Sequence, residues 1–281
     1  MSTNDYVLGH SAKEIERLKF QAALLRPYTH RMLIAAGLCQ GMRVLDIGCG
    51  TGAVSLLASE LTGPRGQVIA IDRSESAIEA AVDSARSEGV SNVHFKVSAL
   101  NDFADDERFD MVVGRYVLVH QPDAVEFLKK AALFVRPGGS MAFHEIDLTG
   151  FIPSSPTIEL WDAAFHELLI RFQKACPEAA VTRNMVHAFV SAGFPVPDMF
   201  CEVTIGGANI PFQEWMIRTL QSLSDGAERT RLADGRVIEF EAAILDLARA
   251  IEERHAQVQG PYQVCAWAHL PDRQDVRAPI L

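Results

Sequence analysis

The 281-residue chain lacks a long apolar run, an excess of positive charge and any paired-cysteine motif. No stretch approaches the roughly 20 apolar residues needed to span a bilayer. The opening MSTNDYVLGHSAKE has neither the basic n-region nor the apolar h-region of a secretory signal, so we expect a cytoplasmic protein with no membrane partner. Lysine and arginine number 26 against 36 aspartate and glutamate, a net charge of -10. Affinity for nucleic acid comes from clustered Lys and Arg, so this balance argues against a nucleic-acid partner. The five cysteines, Cys39, Cys49, Cys176, Cys201 and Cys265, are scattered, with no CxxC pair and no histidine at ligand spacing. They read as buried reduced thiols, and no metal is expected. With 48% hydrophobic and 22% charged residues, the composition is that of a globular protein with material for a large core.

What is present is a regular alternation. Residues 11–36 read as a helix, with Ser11 and Glu14 forming a capping box and Ile15, Leu18, Ala22 and Leu25 on one face. From Met42 onward, apolar strands such as MRVLDIG, QVIAID, VHFKVSA, DMVVGRYV and SMAFHEID are separated by helical stretches such as AVSLLASEL and AVEFLKKAALFV. That pattern predicts an α/β fold, a parallel sheet with helices on both faces. The polar segment before Asp110 is short for a full crossover helix. After Asp147 the rhythm breaks into helices over 158–175, 182–193, 212–223 and 236–255, around a β-rich MFCEVTIG, and the chain closes with the strand-like YQVCAWAHL. No repeat or low-complexity linker interrupts the chain, so the late helices read as a cap on a single domain.

RVLDIGCGTGAVS crowds Gly48, Gly50 and Gly52 just past the first strand. Glycine there lets a ligand approach bare backbone beside helix N-terminal amides. Roughly twenty residues beyond Gly52, QVIAID ends in Asp72, where a carboxylate can accept hydrogen bonds from a ribose diol. Together they predict an adenosine-containing ligand. No GKS or GKT follows, which excludes a P-loop. Gly48, Gly50 and Ala53 fit a dinucleotide fingerprint loosely, which keeps a nicotinamide-dependent oxidoreductase as an alternative, although the chain has no YxxxK.

The run DIGCGTG beginning at Asp46, with RYVLVHQPD and LFVRPGG farther on, resembles the class I methyltransferases that use S-adenosylmethionine. Within that family it is most similar to the bacterial small-molecule branch around ubiquinone and menaquinone biosynthesis. The match spans about residues 40 to 150, with SAGF at 191–194 and the last strand agreeing more loosely, and YVLGHSAKEIERL resembles the lid of a natural-product subgroup. The resemblance implies a Rossmann-like, doubly wound, mostly parallel seven-stranded sheet whose last strand is antiparallel, with a helical lid. It divides the chain into a lid (1–40), a cofactor-binding core (41–150) and a segment completing the sheet and cap (151–281). It further implies that Asp46, Gly48, Gly50 and Gly52 form the cofactor loop, with Asp72 on the ribose and Arg73 beside it. Ala99 and Leu100 would flank adenine, and Arg115 would lie at the methionine end. Ser98 stands where family members often carry an acid.

Methyl transfer from a sulfonium is an in-line displacement, so alignment is the protein's main task. A base is needed only where the acceptor loses a proton. Candidates are His120 after the fourth strand, and His144 and Glu145, with Asp147, at the end of the fifth. Tyr6, His10, Trp161, Phe165 and Trp215 are candidate substrate contacts, from the lid segment and two aromatic stripes, Trp161 to Phe172 and Phe212 to Met216. The expected partner is a small-molecule acceptor. NPPY-like motifs for methylating bases are missing. A cofactor sensor without turnover is a second alternative. The long first helix can close over its own pocket or swap onto a neighbour in a homodimer.

Overall fold

The computed structural model of the protein describes residues 12–150 and 152–271. Helix α1 (Ala12–Ala35) leads into β1 (Arg43–Ile47), α2 (Ala53–Thr62), β2 (Gln67–Asp72), α3 (Glu75–Ser87), β3 (Val93–Val97) and β4 (Phe109–Arg115). Helix α4 (Ala124–Ala132) and the long β5 (Val135–Asp147) follow, then α5 (Glu159–Ala175), α6 (Met185–Ser191), β6 (Asp198–Glu202) and the two-residue β7 (Ile205–Gly206). The chain continues through α7 (Phe212–Ser222), β8 (Arg229–Arg231), β9 (Val237–Glu239), α8 (Phe240–Glu253), β10 (Val258–Gln259) and β11 (Tyr262–His269).

Seven strands form one sheet in the order β3-β2-β1-β4-β5-β11-β6. Pairing is parallel from β3 to β5, and β11 runs antiparallel to both β5 and β6. Val44, Val68, Met111, Val113 and Ala142 face α1 and α2 in one apolar cluster. The alternate residues Leu45, Ile69, Val112 and Phe143 face a second cluster that takes in α4 and α6, where Phe143 meets Phe127 and Phe189, and that continues into α5, α7 and α8. Both faces being covered, the inner strands read as continuous apolar runs. The strand order reverses between β1 and β4, and a crevice opens at such a point beyond the carboxyl ends of the strands.

Local signals fix the connections. Ser74 caps α3, accepting from the Ala77 amide, and Asp123 caps α4 through the Glu126 amide. Between β3 and β4 the crossover contains no helix, as its short polar sequence suggested. Several boundaries differ from the sequence expectation, among them the start of β5, which begins at Val135 at the end of the stretch read as helix. The helix expected from Arg236 begins at Phe240, because Val237–Glu239 first pairs with Arg229–Arg231 in a hairpin and Glu239 then caps α8. The β-rich stretch 199–206 splits, with β7 leaving the main sheet to pair with β10. No helix among the described residues is long and apolar enough to cross a membrane.

Candidate functional site

A cavity of about 480 Å³ opens at the switch point. Its floor is the turn after β1, where Gly48, Gly50 and Thr51 line it together with Asp72 and Arg73 from the end of β2. Two glycines show what the turn requires. Gly50 sits at φ 53 with nothing within 4 Å of where a side chain would start, so its bare backbone faces open space. Gly52 sits at φ 84, and a Cβ there would lie 3.1 Å from both Ala81 and the Phe95 ring. Only glycine combines the left-handed backbone with these two surroundings. Asp72 ties the floor together: one oxygen accepts from the Gly50 amide and the other from the Ser74 amide, each at 2.9 Å. A carboxylate has about four acceptor sites, so half of its capacity is left for a ligand.

Ala99 and Leu100, after β3, line one side of the cavity, next to Ser98, whose hydroxyl donates to the Ala99 carbonyl and so presents only lone pairs outward. Arg115, at the end of β4, is also a lining residue. Its Nη1 donates to Thr29 Oγ1 at 3.3 Å, and it forms no ion pair with a carboxylate among the described residues. Burial lowers its pKa, and the nearby Tyr116 and Asp46 oppose that. A guanidinium so placed suits an incoming carboxylate.

The candidate proton-transfer residues separate. His120, in the short 3-10 turn Leu118–His120, lines the cavity, with Nδ1 3.8 Å from Cys176 Sγ. Burial, and then the charge of Arg73, push its pKa down to about 4, so it is neutral at pH 7. His144 and Glu145 do not line the cavity; strand alternation in β5 sends them to opposite sides of the fully covered sheet. Nε2 of His144 contacts Gln263 Oε1 and Nδ1 contacts Thr29 Oγ1, each at 2.9 Å. Since Gln263 Oε1 only accepts, the proton is on Nε2, and burial holds the ring neutral with a pKa of about 3. Glu145 Oε1 accepts from the Val117 and Leu118 amides, fixing the turn that carries His120, while Oε2 is sealed without a partner. Burial pushes this carboxyl up to about 7. Asp147 caps its own turn through Thr149.

Other expected contacts also lie behind the cavity wall. Asp46 is buried beneath the loop and accepts from Ser55 Oγ at 2.6 Å; burial raises its pKa to about 7. Gly52 packs against α3 and β3 instead of lining the space. Trp161 and Phe165, expected at the substrate, belong to the hydrophobic core, because the face of α5 that bears them packs inward. From that stripe it is Phe172 that reaches the cavity, and from the second it is Trp215. Tyr6 and His10 lie outside the described residues.

Reading the first helix as apolar-faced missed Arg17 and Gln21. Ile15, Leu18 and Ala22 are half-buried, and the inner face is instead Glu14, Arg17, Gln21, Leu25 and Tyr28. Arg17 and Gln21 line the cavity from α1, beside Trp215 and Thr219 of α7 and Leu223 just past its end. The signal was there as polar residues at spacings of three and four in phase with Leu25 and Tyr28.

Residues 38–192 match the family model for a methyltransferase domain. Among curated proteins, an aklanonic acid methyltransferase of Streptomyces is 36% identical over 118 residues, 42% of this chain and 54% of that protein. A ubiquinone biosynthesis O-methyltransferase of Nitrobacter winogradskyi is 38% identical over 102 residues, 36% of this chain and 38% of the relative. A nocamycin O-methyltransferase of Saccharothrix syringae is 33% identical over 172 residues, 59% of this chain and 58% of the relative. The chain thus spans about half the length of the curated relatives it matches. Among solved structures, the YcgJ protein of Bacillus subtilis superposes with a TM-score of 0.54 at 16% identity, covering 88% of this chain and 99% of that one. The SAM-dependent O-methyltransferase of Thermotoga maritima gives 0.52 at 15% identity over 90% of this chain and 67% of that chain. These two share the fold. The matched segment runs from just before β1 through α6 and contains the glycine turn, Asp72 and the turn bearing His120, so the chain belongs to the methyltransferase-domain family.

Proposed function

We propose that the protein transfers a methyl group from S-adenosylmethionine to a small, largely apolar acceptor. The observation that carries this reading is the floor of the cavity, where Gly50 offers open left-handed backbone beside an Asp72 carboxylate with half its acceptor capacity unused. Asp72 would hold the ribose hydroxyls, Gly48 and Gly50 would lie along the methionine portion, and Arg115 would meet its carboxylate. Ala99 and Leu100 would flank the adenine. When bound, S-adenosylmethionine supplies a methyl group already activated as a sulfonium.

The protein's own contribution is alignment and exclusion of water. Good alignment of reactants is worth about 7–11 kcal/mol. Phe172, Trp215 and Leu223 give the acceptor an apolar wall. Where the acceptor carries a hydroxyl, His120 is the neutral side chain placed to take its proton. Glu145 acts one step removed, by holding the turn. Relatives named for aklanonic acid, ubiquinone biosynthesis and nocamycin support an acceptor of that small-molecule kind. The net charge of -10 supports a reading without nucleic acid. A cytoplasmic setting belongs to the same proposal.

Methyl-labelled S-adenosylmethionine incubated with the protein and a panel of hydroxylated quinones and aromatic acids tests the reaction. The expected result is label on one class of acceptor with S-adenosylhomocysteine formed in equal amount, reduced roughly a hundredfold or more in His120→Ala for a hydroxyl acceptor. Absence of transfer to every member would contradict the acceptor class.

A further inference from the structure

The wall that α1 and α7 give to the cavity holds a polar network. Arg17 Nε and Nη2 both donate to the Glu14 carboxylate, at 2.9 and 2.6 Å, and Nη1 donates to Gln21 Oε1 at 2.9 Å and to Thr219 Oγ1 at 3.4 Å. Across the helix pair, Trp215 Nε1 donates to the same Gln21 oxygen at 2.9 Å, and Ser222 Oγ donates to Glu14 at 2.8 Å. Arg17, Gln21 and Trp215 are 3%, 9% and 2% exposed, so the arrangement is held away from bulk water.

This network settles which way the Gln21 amide points. A guanidinium N–H and an indole N–H can only donate, so the atom that receives both must be the carboxamide oxygen. The nitrogen is left on the other side with two donors. It has no hydrogen-bond partner among the described residues, and it is not among the buried side-chain atoms sealed without a partner. Gln21 is a lining residue of the cavity, and with its oxygen turned to Arg17 and Trp215 the nitrogen is the amide atom left with residual exposure. An oriented amide donor beside the apolar surfaces of Trp215, Leu18 and Leu223, in a wall that also holds Arg17 and Thr219, is the kind of placed polar group that fixes a ligand's orientation.

We propose that Gln21 is a specificity-determining residue for the acceptor: its amide N–H groups receive a carbonyl, carboxylate or phenolate oxygen on an apolar, planar acceptor. Arg17 and Trp215 position it, and Glu14 in turn fixes Arg17. The inference rests on the methyltransferase reading for the identity of the ligand as an acceptor. An analogue without the oxygen leaves a buried donor unpaired, so the wall should reject it by roughly ten- to a hundredfold.

The test uses the full chain saturated with S-adenosylhomocysteine, titrated by calorimetry with 2-hydroxy-1,4-naphthoquinone and with naphthalene, which share a ring frame. Two variants accompany the wild type. Gln21→Glu keeps the oxygen that Arg17 and Trp215 need and removes the donors, while Gln21→Leu removes both. The proposal expects the oxygenated probe to bind at least tenfold tighter in the wild type. That preference should collapse toward one in both variants while S-adenosylhomocysteine affinity holds. Should Gln21→Leu fail to fold, Gln21→Glu decides alone. Equal affinities in the wild type, binding of neither probe, or a preference that survives Gln21→Glu each overturn the proposal. Failure of the wild type to bind S-adenosylhomocysteine appears before any probe is added; it overturns the methyltransferase reading and the acceptor assignment with it.

Discussion

Glu145 shows how a single buried carboxyl shapes both the site and the protein's response to pH. It holds two backbone amides of the turn that carries His120, yet its second oxygen has no partner, and burial raises its pKa from 4.5 to about 7. Between those values the native state keeps a proton that the unfolded chain has released, so this residue makes stability fall as pH rises from about 4.5 through 7. His144 and His120 act in the opposite sense. Their native pKa values, about 3 and about 4, lie below 6.5, so stability falls as pH drops below 6.5 and the unfolded chain takes up protons the native state refuses. Glu145→Gln removes only the first dependence. Relative to the wild type, its stability should therefore improve with rising pH across that window, by at most about 1.4 kcal/mol per unit. Urea denaturation at pH 5, 6, 7 and 8 checks this, and parallel curves would show that Glu145 ionises normally. At this scale the sequence was informative wherever a residue type and its place in a strand were enough. Asp72, Arg115 and His120 all line the cavity. It was uninformative about depth, since strand alternation names a face but does not say that both faces of β5 are covered; His144 and Glu145 follow from that.

The glycine turn and the first helix make the element-scale case. Gly50 and Gly52 are both left-handed, so alanine at either costs about 1–2 kcal/mol. Their surroundings separate the outcomes. In Gly50→Ala the methyl enters the cavity, and the main loss should be S-adenosylhomocysteine affinity. In Gly52→Ala it meets Ala81 and Phe95, adding about 1–3 kcal/mol of crowding, and the main loss should be stability. Paired denaturation and calorimetry on the two variants read both quantities, and the reverse pattern would contradict the placement of the turn. The glycine spacing was legible because the backbone demands it locally. The inner face of α1 was not, because Glu14, Arg17 and Gln21 are satisfied by partners on α7, some two hundred residues away in the chain. Polar residues satisfied across a tertiary contact have the same local pattern as polar residues in water.

For the whole molecule, the alternation of strands and helices reported the doubly wound sheet directly, because parallel strands need crossovers and covered faces need apolar runs. The hairpin of β8 and β9 and the departure of β7 were hidden in segments of two or three residues, too short to carry a period. What joins the scales is that the sheet's switch point, the glycine turn and Asp72 converge on one cavity that α1 and α7 help to wall. The most direct test of that convergence is calorimetric titration of the wild type and Asp72→Ala with S-adenosylhomocysteine, beside NAD and NADP. Saturable binding of S-adenosylhomocysteine alone is expected, weakened roughly tenfold or more by Asp72→Ala through loss of charged hydrogen bonds to the ribose. Binding of a dinucleotide instead, or an affinity indifferent to Asp72, would contradict it.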